Sequence, residues 1–257
     1  MTFPRSNRFR YLKSPLVEVI CQLRFPAILK IDSESPVQFQ EAIRASFPGY
    51  LRTDVTPFAI VAGGVKKLLP DTDPNPDRRV EHSFLDAGGT TKVTLGRDFI
   101  ALSSSAYLGW EAFFAQFSRV VAPLVTAYQP DQCVRAGLRY QNVIRRSKLA
   151  LDNRPWSELL RLSVAGLLGE ASPMPVYAVT EAIYELGPPR VCRLVHGTVK
   201  AEDETSYLID SDFFQESAMP IERALNELGQ LHEEAGWAFR WCISEPLHLA
   251  MQPEALT

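Results

Sequence analysis

The residue types that most often carry out catalysis are spread thinly along this sequence. The four histidines are His82, His196, His232 and His248. None of them lies four residues from another on a predicted helix, which is the spacing of a zinc-binding HExxH pair. His232 precedes Glu233 and Glu234, but the second histidine of that motif is missing. We therefore interpret His232 as a partly exposed helix residue.

The cysteines offer one pairing with a histidine. Cys192 and His196 lie four residues apart on a predicted strand, so both side chains would face the same way. They could act as nucleophile and base, but catalysis also needs a group that orients the base and a site for the oxyanion. The cysteines have no CxxC spacing, and we interpret all four as buried hydrophobic residues in a reducing compartment. They are Cys21, Cys133, Cys192 and Cys242.

The carboxylates do not form a convincing acid–base pair either. Glu181 and Glu185 lie on one predicted strand and could face a cleft together, but a solvent-facing side of the strand is the simpler interpretation. Asp210 and Asp212 could bind a cation, yet they better fit a turn and a helix cap, because Asp readily accepts hydrogen bonds from nearby backbone N–H groups. We predict no catalytic residue, no metal ligand and no cofactor.

The arginines are the remaining signal for binding. Arg24, Arg135 and Arg139 fall on the polar sides of two predicted strands, and Arg145 and Arg146 follow directly. Guanidinium groups form bidentate contacts with phosphate or carboxylate. We predict that these five arginines line an open sheet face that binds an anionic partner. The alternative is that they pair with carboxylates on neighbouring strands and stabilise the sheet.

Composition limits the class of protein. The 257 residues are 46% hydrophobic and 22% charged, which is typical of a globular chain with a sizeable core. The net charge of -3 does not favour a general nucleic-acid or membrane-surface binder. No segment resembles a signal-peptide core or a membrane span. We expect a cytoplasmic protein with no membrane contact.

Hydrophobic periodicity predicts an α+β fold in two similar halves. A basic N-terminal arm occupies residues 1–13, the halves occupy 14–130 and 131–250, and a tail follows at 251–257. The first half has strands at 16–25, 58–69, 79–86, 91–96 and 99–104, a helix from Pro36 and a long helix at 110–128. The second half has strands at 134–144, 176–186, 190–200, 205–210 and 237–243, with helices at 155–167 and 220–236.

Both halves begin with a similar strand. Leu23-Arg24-Phe25 and Leu138-Arg139-Tyr140 share a leucine–arginine–aromatic pattern, and each starts a strand–helix–antiparallel strands–long helix series. We predict an internal duplication with the helices on one sheet face. The alternative is a chance match of three residues. We predict six core residues from the same periodicity: Leu23, Phe25, Phe113, Phe117, Leu138 and Leu225.

Two resemblances bear on fold and function. The element order of each half resembles the repeat of the TATA-box-binding protein, which implies a curved sheet with one open face. The segments at 11–26 and 137–144, and the chain length, resemble a sporadically distributed family of bacterial proteins with no assigned function. That resemblance implies a bacterial cytoplasmic origin and supplies no catalytic residues.

We therefore expect a non-enzymatic binding or adaptor component of a bacterial multiprotein system, related to defence or to toxin–antitoxin pairs. Its partner would be another protein. Two alternatives stay open. One is a nucleic-acid-binding protein that uses the arginine-lined sheet face, and the other is an enzyme with an unrecognised site. The sequence predicts no oligomeric state.

Overall fold

A computed structural model describes residues 2–55, 79–169, 175, 177–201 and 203–256. In the first half these residues form β1 (Phe9–Tyr11), β2 (Leu16–Arg24), α1 (Lys30–Ser33), α2 (Val37–Ile43), β3 (Gly49–Val55), β4 (Arg79–Leu85), β5 (Thr91–Gly96), β6 (Phe99–Ser104) and α3 (Trp110–Tyr128). In the second half they form β7 (Arg135–Ile144), α4 (Trp156–Leu159), α5 (Leu162–Ala165), β8 (Val179–Gly187), β9 (Arg190–Ala201), β10 (Glu204–Gln215), α6 (Ile221–Cys242), α7 (Glu245–Ala250) and β11 (Pro253–Ala255). Two 3₁₀ turns lie at Ser147–Leu149 and Gly166–Gly169.

A nine-stranded antiparallel sheet, in the order β3-β4-β5-β6-β2-β7-β10-β9-β8, runs through both halves. The predicted α+β class with a large antiparallel sheet is therefore confirmed. Strands β1 and β11, near the two ends of the chain, form a separate two-stranded sheet.

The two halves meet at the β2–β7 pair in the middle of the sheet. Gln22 lies opposite Gly137, so that Leu23 faces Ala136 and Cys21 faces Leu138. The two leucine–arginine–aromatic segments are thus neighbours, and the other strands of each half extend outward from them. This is the arrangement that a duplication would produce, although the duplication and the TATA-box-binding-protein-like order remain predictions.

Alternation gives the sheet one core face. Leu23, Leu138 and Phe213 are completely buried on that face, as period-two patterning requires. Helix α6 lies against β7 and β10, and α1 lies against β4 and β5. Five of the six predicted core residues are buried; the exception is Leu225, which is half-buried at the edge of the core.

The structure differs from the sequence prediction in the C-terminal region. The strand predicted at 237–243 is wrong, because α6 continues to Cys242. Ala235, Ala238 and Cys242 are buried at helical spacing, whereas the neighbouring aromatic residues imitate strand alternation. The turn and helix cap predicted at Asp210 and Asp212 are also wrong, since β10 continues through them to Gln215.

Three further elements differ. The helix predicted at 155–167 is broken, because Leu160 is extended and forms a β-bridge to Ile243. Strand β3 was not predicted. The strand predicted at 58–69 lies outside the described residues.

Helix α3 provides a test of the core. Phe117 is completely buried, whereas Val125 on the same helix is exposed. We expect Phe117→Ala to lower the free energy of unfolding by about 3–5 kcal/mol, because it leaves a cavity in a packed core. Val125→Ala should lower it by less than about 1 kcal/mol. Urea denaturation measures both, and equal losses would contradict the assigned core face.

Candidate functional site

A cleft of about 470 Å³ lies between the N-terminal arm, the start of α3 and the middle of α6. We call it the arm cleft. Residues 7–12 form one wall, Trp110 and Trp237 lie on the helical walls, and Tyr140 of β7 and Ser211 of β10 lie at the sheet. The cleft is lined mainly by apolar groups. Its size is typical of small-molecule pockets.

The arm keeps its place through contacts at three points. Phe3 is buried and packs against Tyr184 and Trp241. The Tyr11 hydroxyl lies 2.9 Å from Nδ1 of His248, while β1 pairs with β11. The segment predicted as a basic arm is therefore built into the fold and forms one side of the cleft.

A chain of polar contacts crosses the cleft from its rim to the sheet. Arg8 donates to Glu111 at 2.8 Å, and an Arg8 nitrogen lies 3.4 Å from Nε2 of His232. Nδ1 of His232 lies 2.8 Å from the Tyr140 hydroxyl. The His232 ring also stacks on Trp110, with centroids 4.5 Å apart and planes 6° from parallel.

The hydrogen-bond donors in this series of polar contacts determine the tautomer of His232. Arginine can only donate, so Nε2 of His232 must accept from Arg8. The ring proton is then on Nδ1, which donates to the Tyr140 oxygen. The Tyr140 hydroxyl hydrogen is left to donate to another group, either toward Tyr107, whose ring is perpendicular at 6.1 Å, or toward a ligand.

The groups along the sheet side of the cleft are neutral at pH 7. Burial lowers the pKa of His232 to about 4; the nearby Arg8 lowers it further and Glu111 opposes the shift. Burial raises the pKa of Tyr107 to about 12 and that of Tyr140 well above its ordinary value. The histidine and tyrosine groups at the base therefore offer hydrogen bonds but no charge, and the charged Arg8 and Glu111 nearby are paired with each other.

Two polar side chains at the base have unused hydrogen-bonding capacity. Ser211 is 4% exposed and lines the cleft. Its hydroxyl makes no hydrogen bond to any of the residues that the structure describes. Asn142 is 7% exposed, and its amide makes one long contact of 3.5 Å to the Ile209 carbonyl. Both side chains border the open cleft, so a ligand bound there can hydrogen-bond to them.

The cleft lacks the arrangement of an acid–base or nucleophilic centre. Both ring nitrogens of His232 already have partners, and no base contacts the Ser211 hydroxyl within the described chain. Among those same residues, no group of three or more His, Cys, Asp or Glu side chains could hold a metal ion.

The Cys192–His196 pairing considered from the sequence is not an activated nucleophile. Nδ1 of His196 lies 2.8 Å from the Tyr207 hydroxyl, which donates to the Val164 carbonyl. Burial raises the pKa of Cys192 well above its ordinary value, so the thiolate is disfavoured.

The predicted arginines lie apart from the cleft. Arg24, Arg135 and Arg139 are on the sheet face opposite the helices, as alternation predicted, and Arg24 lies opposite Arg135 across β2 and β7. Each of the three contacts a carboxylate: Arg24 bonds Asp98 at 2.9 Å, Arg135 bonds Asp212 at 2.8 Å and Arg139 bonds Asp210 at 2.7 Å.

The other two arginines are at the far end of β7. Arg146 donates to the Arg154 carbonyl at 2.8 Å and its guanidinium lies over the Trp156 ring. Arg145 precedes it, directly after the strand. The structure therefore groups three of the five arginines on one face and separates the remaining pair.

The residues of the cleft were not predicted as a site. His232 was assigned to a helix surface, and Tyr140 and Trp110 were assigned only to patterned elements. The aromatic residues among the arm's arginines, at Phe9 and Tyr11, were the available signal, because such a segment packs on a protein surface readily.

Comparison with known proteins does not identify the chain. No protein-family model and no curated protein matches it. Within the described residues, no helix has the length and hydrophobicity needed to cross a membrane.

The depressed pKa of His232 predicts a loss of stability in acid. An unfolded histidine gains a proton near pH 6.5, whereas the folded one does so near pH 4. Between these values the unfolded state binds more protons, so stability falls as the pH is lowered. Between pH 7.5 and 5.0, we expect the free energy of unfolding to fall by about 2 kcal/mol more in the unaltered protein than in His232→Gln.

Urea denaturation of both proteins at the two pH values measures this difference. Burial also lowers the pKa values of His196 and His248. Both residues are present in both proteins, so their contributions to the pH dependence cancel in the comparison. Identical losses in the two proteins would mean that His232 is not held neutral by the fold.

Proposed function

We propose that this protein is a non-enzymatic binding protein and that the arm cleft is its ligand site. The observation that carries the proposal is the Ser211 hydroxyl, which lines a mainly apolar cleft and forms no hydrogen bond to any residue that the structure describes. A group of this kind lowers the free energy of a complex when a ligand completes its hydrogen bond. Pockets with apolar walls and a few convergent polar groups are typical ligand sites.

The walls favour a neutral molecule with a planar ring. Trp237 and Phe239 supply flat apolar surfaces against which a ring can stack, whereas Trp110 already stacks on His232 and Phe114. The polar groups at the base are an amide and hydroxyls, which bind neutral donors and acceptors. His232 is neutral and Arg8 is already paired with Glu111, so the base of the cleft favours a neutral ligand over a carboxylate or an ammonium group.

The wider role stays the one expected from the sequence. We propose an adaptor in a bacterial multiprotein system, related to defence or to toxin–antitoxin pairs, with another protein as partner; its support is the sequence resemblance. Three exposed leucines at the mouth of the cleft, Leu12, Leu108 and Leu256, would suit a protein contact. The nucleic-acid alternative is weakened, because Arg24, Arg135 and Arg139 already contact carboxylates.

Helix α6 supplies a test that does not disturb the core. Gly236 lines the cleft, and an added Cβ at this position would meet no atom within 4 Å. We expect Gly236→Leu to fill the cleft and weaken the binding of indole, a neutral ring probe, at least about tenfold. Isothermal titration calorimetry measures the affinity.

Gly229 provides the matched control. It lies on the same helix, also has open space at its Cβ position, and does not line the cleft. Gly229→Leu should bind indole as the unaltered protein does, and both variants should be at least as stable, since leucine favours helix more than glycine. Binding that is absent in the unaltered protein, or equal in both variants, would rule out the cleft as the ligand site.

A further inference from the structure

Strand β8 forms one edge of the nine-stranded sheet. It pairs with β9 on one side, and on the other side no described strand lies beside it. Two of its apolar side chains face solvent: Val179 is 43% exposed and Ile183 is 68% exposed. Edge strands with exposed apolar residues readily accept another strand.

The backbone of β8 has free hydrogen-bonding groups at alternate residues. The Ala178 carbonyl accepts from the Thr198 amide at 2.8 Å, so this residue faces β9. In an antiparallel ladder the direction alternates from residue to residue. The N–H and C=O groups of Val179, Glu181, Ile183 and Glu185 therefore point away from β9.

This edge carries few of the features that protect edge strands from pairing. Val179–Gly187 contains no lysine and no proline, the residues that most often protect an edge strand, and its charged side chains are Glu181 and Glu185. The register is regular from Val179 to Glu185, and its only irregularity lies between Glu185 and Gly187. Seven residues are thus available for continuous pairing.

The side chains on the outward-bonding residues form a repeating pattern. Apolar Val179 and Ile183 alternate with acidic Glu181 and Glu185, and all four are on the sheet face opposite the helices. Glu181 forms an ion pair with Arg193 at 2.6 Å. Glu185 is exposed and forms no ion pair within the described part of the chain.

We propose that β8 is a site of strand addition for an extended segment of a partner protein in which basic and apolar residues alternate. Backbone hydrogen bonds to the four outward-facing residues supply affinity, as in other complexes formed by strand addition. Basic side chains of the segment lie opposite Glu181 and Glu185, and apolar ones lie opposite Val179 and Ile183, because directly opposed side chains interact across strands.

A second copy of this chain fits the edge poorly. Centring an antiparallel pair of β8 strands on Ile183 places Glu181 of each copy against Glu185 of the other. Arg193 already pairs with Glu181, so Glu185 gains no opposite charge from β8 of the second copy. Like charges directly opposite each other destabilise a strand pair. The charge pattern therefore favours a basic partner over self-association.

A pair of synthetic peptides tests the proposal. The basic peptide is acetyl-Lys-Thr-Val-Thr-Lys-Thr-Val-amide, and the control peptide has Glu in place of each Lys. We expect fluorescence anisotropy with labelled peptides to show binding of the basic peptide and at least about tenfold weaker binding of the acidic one. Glu185→Lys should reduce this preference.

Two substitutions at one position separate backbone pairing from side-chain contact. Ile183→Pro removes an outward-facing N–H and should weaken binding of the basic peptide at least about tenfold, whereas Ile183→Thr keeps that N–H and should weaken it less. An unchanged circular dichroism spectrum and thermal midpoint in each variant show that the fold is retained. If the proline variant does not fold, the peptide preference of Glu185→Lys decides.

Four results would overturn the proposal, and three of them concern the peptides. These are no binding of the basic peptide at millimolar concentration, equal binding of the two peptides, or equal binding to Ile183→Pro and Ile183→Thr. A dimer in analytical ultracentrifugation that Ile183→Pro converts to a monomer would also overturn it, because a second copy would then occupy the edge.

Discussion

The antiparallel pairing of β2 with β7 is the constraint on which the rest of the structure depends. With Gln22 opposite Gly137, the strands of both halves join one sheet and the apolar residues of both central strands face the helices. A slip of one residue would move every side chain to the wrong face. Gly137 contributes directly, because a Cβ at this position would lie only 2.4 Å from an Arg135 guanidinium nitrogen. The absence of a side chain therefore leaves room for the Arg135 guanidinium. Arg135 can thus reach Asp212 across the sheet.

The same register places Tyr140 beneath the meeting point of α3 and α6, and this produces the arm cleft. Burial keeps His232 and Tyr140 neutral. Because Arg8 can only donate to Nε2 of His232, the proton on Nδ1 donates to the Tyr140 oxygen. The result is a stable, neutral polar surface at the base of an apolar cleft. Such a surface can orient a ligand through Ser211 and Asn142, which line the cleft, while both ring nitrogens of His232 already have partners.

Local patterning predicted much of the fold and little of the cleft. Period-two alternation predicted β2 and β7, and a broad apolar stripe predicted α3. These predictions succeed because burying one face of a strand or helix sets a periodic pattern in residues that are close in sequence. The end of α6 was mistaken for a strand because the large aromatic residues Trp237, Phe239 and Trp241 occupy every second position, as on one face of a strand. The cleft depends on Arg8, Glu111, Tyr140 and His232, which lie up to 224 residues apart. No local pattern encodes that contact, because it exists only after the two halves have joined.

The most direct test of the ligand site is an NMR titration of isotope-labelled protein with indole. We predict that saturating indole shifts the backbone signals of Tyr140, Ser211 and His232, and those of residues 7–12 in the arm. These shifts should follow one binding curve, because all of these residues border a single cleft. Shifts confined to other surfaces, or no shifts at millimolar indole, would contradict the assignment of the arm cleft as the binding site.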